Sequence, residues 1–179
     1  MRAIHVVLPA LLLAGCGMLY AEVEIPTVEL TLPKETIPGS GGDTTFDKIF
    51  TYDLGKDISV ITENDVTVTL RLQSLTIASD AVDLYGVQAL TVRVEPPTGS
   101  TLPSVDLIAY ARPAGATAPI HSVEAVASGG EDLGPYLTAG ALQLHVAGSG
   151  APPVADWLGK VTAAFYLKVR YPYGKQIKL

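Results

Sequence analysis

The sequence predicts an all-β chain folded as one antiparallel β-sandwich, and three observations carry that prediction. Apolar and polar residues alternate with period two through segment after segment, the pattern of strands buried on one face only. Clusters of Gly, Pro and Ser separate those segments, as reversals of the chain require. Beyond the N-terminal apolar run, no stretch carries the periodicity of a long helix. Strands at this spacing build a sandwich or barrel of about seven to nine strands.

The elements follow in order. In Val23 to Leu32, Val28, Leu30 and Leu32 alternate with Glu29 and Thr31, and Pro26 interrupts the phase. A proline cannot donate to a ladder, so this reads as an edge or bulged strand. Residues 33–45 hold Pro33, Pro38 and Gly39-Ser40-Gly41-Gly42, the composition of a loop. Phe46 to Leu54 has mixed spacing; Phe50, Tyr52 and Leu54 favour a strand. Val66, Val68, Leu70 and Leu72 then point one way and Thr67, Thr69, Arg71 and Gln73 the other. Leu90, Val92 and Val94 alternate with Thr91, Arg93 and Glu95. Val105, Leu107 and Ala109 are expected to face inward, with Asp106, Ile108 and Tyr110 outward. Asp132 to Leu137 reads as a short helical turn. Leu142, Leu144 and Val146 alternate with Gln143, His145 and Ala147. The last strand turns Ala163, Phe165, Leu167, Val169 and Tyr171 away from Thr162, Ala164, Tyr166, Lys168 and Arg170.

An outer-membrane barrel would fit the length but needs aromatic girdles at both interfaces. Three Phe, one Trp and eight scattered Tyr do not supply them.

The N-terminus points to an address. Arg2 precedes an apolar run from Ala3 to Leu13, which ends in Leu13-Ala14-Gly15-Cys16. The run falls short of the about 20 residues of a membrane span and has the layout of a secretory signal. Its small-small-Cys after Leu resembles the lipobox of bacterial lipoproteins. That resemblance implies cleavage after Gly15, with a diacylglyceryl thioether and an N-acyl group on Cys16, enough chains for stable anchoring. Gly17 stands where inner-membrane retention signals often carry Asp, which by analogy with enteric bacteria implies the outer membrane. Cleavage elsewhere by an ordinary secretory route is the competing reading. Cys16 is the sole cysteine, so the chain forms no internal disulfide. The expected organisation is a signal at 1–15, a lipidated arm with an edge strand at 16–45, and a sandwich at 46–179.

Composition excludes other classes. Hydrophobic residues at 48% and charged ones at 17% rule out a disordered chain. The formal charge of −6 becomes −7 once Arg2 leaves with the signal; no basic stripe offers a footprint for nucleic acid. Contact with membrane is therefore expected through the anchor.

Candidate chemistry is sparse. His121 and His145 are isolated in sequence, without the ligand spacing of a zinc site. Ser104, Asp106 and His121 can be drawn as a triad, but no strained nucleophile turn supports the drawing. Asp80 with Asp83, and Glu131 with Asp132, are the local carboxylate pairs able to offer oxygen ligands to calcium. Neither matches a calcium-loop motif, and solvated turn carboxylates are the simpler reading. Aromatic rings stack on sugars, so Tyr85, Tyr110, Trp157, Tyr166, Tyr171 and Tyr173 are candidates for glycan contact. Tyr110 and Tyr166 share the outward phase of their strands, and Tyr171-Pro172-Tyr173-Gly174-Lys175 with Arg170 and Lys178 forms a slightly basic, aromatic tail suited to a partner.

Over roughly 46–171 the alternating segments resemble immunoglobulin- and fibronectin-like sandwiches in architecture. The resemblance carries no functional residues onto this chain. The expectation is a lipid-anchored envelope protein with no enzymatic activity and no cofactor, acting as a binding or structural module toward an envelope protein or polysaccharide. An adhesion or glycan-binding module using the Tyr-bearing face is the alternative, and an exported hydrolase the remote one.

Overall fold

The computed structural model describes residues 20–57, 66–137 and 140–173. The expected signal at 1–15 and Cys16 lie outside the described residues, as do Gly174, Lys175 and Lys178. Nine strands form two antiparallel sheets packed face to face, as the alternation requires. They are β1 (Tyr20–Thr31), β2 (Glu35–Ile37), β3 (Thr45–Asp53), β4 (Thr67–Ala78), β5 (Val87–Val94), β6 (Val105–Ala111), β7 (Ser122–Val126), β8 (Ala141–Gly150) and β9 (Trp157–Pro172). One helical turn, α1 (Leu54–Asp57), follows β3, and a single 3-10 turn at Gly134–Tyr136 falls inside the span expected for it.

The first sheet runs β1-β9-β4-β7, with β2 also on β9; the second runs β3-β8-β5-β6. β1 and β2 occupy successive stretches of β9's free edge, bridged by the Leu32 N–H to Val161 O hydrogen bond of 2.9 Å. Counted as one strand, they leave eight, and the pairing is that of a long hairpin rolled up: first with last, β3 with β8, β4 with β7, β5 with β6. This is a double-sheet jelly roll. The two-sheet sandwich architecture expected from the sequence is present, and its strand order differs from the ABED and CFG sheets of immunoglobulin-like domains. Alternation within strands reveals that two sheets exist. It does not reveal which strands are neighbours.

Within residues 20–37, β1 and β2 both pair with β9 in the first sheet. As Pro26 foretold, β1 is an edge strand whose register shifts between Ile25 and Val28.

The core lies between the sheets. From β9 it receives Trp157, Val161, Ala163, Phe165, Leu167 and Val169; from β8 Leu142, Leu144 and Val146; from β5 Leu90, Val92 and Val94. These are the inward phases read from sequence. Two bulges alter the rest. In β4 the shift between Leu72 and Ser74 leaves Gln73 unpaired and turns Leu75 and Ile77 inward. In β6 the shift opposite Val92–Arg93 skips Leu107, so Leu107 and Ile108 are both buried. A single inserted residue reverses every side chain beyond it. Hence Ile108 and Tyr110, expected outward, pack on the core, while Ala109 is exposed.

Aromatic packing ties the layers together. Phe165 of β9 meets Tyr52 of β3 edge to face at 6.0 Å, and Trp157 meets Phe46 at 6.4 Å. Gly148 opposes Phe46, where any Cβ would stand 2.1 Å from the ring. Among the described residues, the buried Tyr52 Oη and Trp157 Nε1 have no hydrogen-bond partner. Burial drives the Tyr52 hydroxyl's pKa well above its ordinary value, with Glu35 adding to the rise. An unpaired buried hydroxyl costs stability that its phenyl counterpart avoids. Tyr52→Phe is therefore expected to raise the unfolding free energy by about 1 kcal/mol, read from urea denaturation; a loss of that size would show that the hydroxyl is satisfied.

Candidate functional site

Strand direction gives the sandwich two ends. At one end lie the start of β1, the end of β9, the 95–104 segment and the 3-10 turn; at the other lie residues 38–44, 79–86, 112–121 and 151–156. The candidate residues are dispersed between these ends and the two outer faces.

The drawn triad is not assembled. Ser104 Oγ donates to Glu95 at 2.9 Å, Asp106 pairs with Arg93 at 3.0 Å, and His121 lies at the opposite end, its carbonyl accepting from the Ser79 N–H.

The four carboxylates considered for calcium separate in the same way. Asp80 is bound to Lys34 at 2.6 Å, and that hydrogen bond and charge hold its carboxyl below the usual range. Asp83 accepts the N–H groups of Ile120 at 2.7 Å and Tyr85 at 2.8 Å, which lower its pKa likewise. Glu131 and Asp132 sit in the segment after β7, well away from both. Among the described residues no group of three or more His, Cys, Asp or Glu is placed to hold a metal ion.

Asp132 has a structural task that its sequence context hid. β7 covers β4 only over Ser74–Ala78, leaving the β4 edge near Leu70 open. The Asp132 carboxylate accepts the Leu70 N–H at 3.0 Å and the Gly134 N–H at 2.9 Å, while Leu133 N–H donates to Leu70 O. Gly134 packs so closely that a Cβ there would stand 2.2 Å from Val68 O. The segment thus closes an edge that would otherwise template pairing with another chain.

The aromatic candidates do not form one platform. Tyr110 is turned to the core of the second sheet, and Trp157 is buried. Tyr166 lies on the outer face of the first sheet, its ring 5.9 Å from the Arg71 guanidinium; partial burial and then Glu24 raise its hydroxyl's pKa. Tyr85 is half-buried at the far end beneath Arg112, whose guanidinium stacks at 4.1 Å and also donates to Tyr85 O. Tyr171 packs on the core, whereas Tyr173 is 71% exposed.

The sequence missed one polar cluster. On the outer face of the second sheet, His145 Nε2 lies 3.3 Å from Asp47 and Nδ1 3.3 Å from Glu95, which receives Ser104. These residues are scattered through the sequence, and only the β3-β8-β5 register brings them together. The carboxylate stands between imidazole and hydroxyl, so the order is not that of a nucleophile activated by histidine. Shallow depressions include one of about 320 Å³ between β6 and β7 over Leu72, Leu107 and Ala127, and one of about 310 Å³ over Ala147 and Gly148.

No protein-family model matches the chain, and no curated protein matches it. Among solved structures it is similar to a chain of Desmodium yellow mottle tymovirus at 12% identity. That likeness covers 94% of this chain and 97% of the other, with a TM-score of 0.36, too low to carry an argument.

Two outcomes test these assignments. Asp132→Ala removes a charged acceptor from two backbone donors and is expected to cost about 2 kcal/mol of stability by denaturant titration. The Asp83 carboxyl, held down by its two N–H donors, contributes stability above its unfolded pKa of about 3.9 and loses it as pH falls through the lower folded value. Wild type should therefore exceed Asp83→Ala at neutral pH and converge with it in acid; a constant gap would reject the electrostatic account.

Proposed function

We propose that the protein is a bacterial lipoprotein of the cell envelope, acylated on Cys16, whose jelly-roll sandwich serves as a non-enzymatic binding or structural module. The carrying observation is where the described strands begin. Tyr20 opens β1 four positions after Cys16. Cleavage after Gly15 thus removes no residue of any described strand and leaves the core intact. Leu13-Ala14-Gly15-Cys16 supplies the lipobox, and Gly17 supports the outer membrane as its location. The sandwich then offers its faces and loops to a protein or polysaccharide of the envelope. Dispersal of the tyrosines over both sheets weighs against the glycan-platform alternative, and no calcium site enters this reading.

Growth with labelled palmitate tests it. Wild type is expected to take up label and enter the detergent phase on phase partitioning, and Cys16→Ser to take up none. A wild-type chain that remains unlabelled sinks the proposal.

A further inference from the structure

The corner formed by the start of β1 and the end of β9 brings two exposed tyrosines close to an arginine. Tyr20 pairs in register with Pro172, and the Arg170 guanidinium stacks over the Tyr20 ring at 4.5 Å. Tyr20 is 45% and Tyr173 71% exposed, with half-buried Pro172 next to Tyr173 in the chain. Glu22, the nearest acid, is engaged by Lys168 at 2.8 Å and approached by Arg170 at 4.0 Å, and these contacts hold its carboxyl below the usual range. Tyrosine, with an apolar body and a polar tip, favours the headgroup zone of a bilayer. An arginine stem lies along apolar surface while its head reaches phosphate.

We infer that this corner, Tyr20 with Arg170, Pro172 and Tyr173, is the surface with which the sandwich seats on the lipid headgroups around its own anchor. The inference rests on acylation of Cys16. At about 3.5 Å per residue, four residues place Tyr20 within ~14 Å of the acylated cysteine, so this corner cannot leave the bilayer surface. The competing posture lays the outer face of the first sheet on the membrane. That face carries Arg71, Lys160, Lys168 and Arg170 on the central strands against Glu22, Glu24 and Glu29 on β1 and Glu124 on β7. Lys168 is paired there with Glu22 and Glu24, whereas the corner presents two exposed rings. With the corner seated, β9's 16 residues run outward. They carry the far loops about 50 Å from the bilayer surface at ~3.3 Å per residue.

Hydroxyl-radical footprinting of the unaltered lipidated protein in isolated membranes reads this directly. Oxidation of Tyr20 and Tyr173 should fall about tenfold relative to Tyr85 at the far end, the shift that ~1.4 kcal/mol of interfacial burial produces. It should recover on detergent extraction. Equal reactivity in a chain that is membrane-bound and acylated overturns the seating alone. Protection that survives extraction shows that a second copy covers the corner, and also overturns it. A chain carrying no acyl group overturns the anchor and the seating together.

Discussion

Everything in the first sheet depends on the burial of one strand. β9 pairs with β1, β2 and β4, and its inward row from Trp157 to Val169 lies across the middle of the core. Phe165 reaches the second sheet through Tyr52, and Trp157 through Phe46. Replacing this row with polar residues would remove both the ladder's centre and the sheets' mutual contact. Apolar burial is non-directional, so what β9 adds beyond burial is register: it sets where β1 and β4 must lie.

The open sides of the sandwich are fastened by polar contacts of a different kind. On one side Lys48 of β3 pairs with Glu35 at 2.7 Å and donates to Thr36 O, joining the second sheet to β2. On the other, Ser128 N–H reaches Leu107 O. Such exposed contacts contribute little energy singly; their effect is to keep edge strands covered. Asp132 serves the same end at β4.

How much was legible in the sequence follows from what each feature depends on. The inward rows of β4, β5, β8 and β9 were readable because period two is a local property of the strand backbone. Pro26 announced the β1 edge by its missing donor. The β6 phase was misread because period two was carried through Leu107-Ile108, two adjacent apolar residues that mark the bulge without a glycine or proline to locate it. β2, only three residues long, was lost in a segment rich in Pro and Gly. Jelly-roll order, the His145 cluster and the Asp132 latch all arise from pairings between residues far apart in sequence, to which single-strand patterns are blind. The Tyr20–Tyr173 corner falls in the same category, although Tyr171-Pro172-Tyr173 stood out as aromatic.

The rolled-hairpin order also governs when the fold can exist. Tyr20 and Pro172 are neighbours across a ladder yet lie at opposite ends of the described chain. Closing such long-range pairs precedes the reward of making them, so folding of this topology is slow. Until β9 is present, β1, β2 and β4 lack their common partner, and the first sheet has no centre. A chain emerging N-terminus first therefore stays open until its last strand is made. The last strand to arrive acts as the clasp, and the domain locks only once that strand is in place.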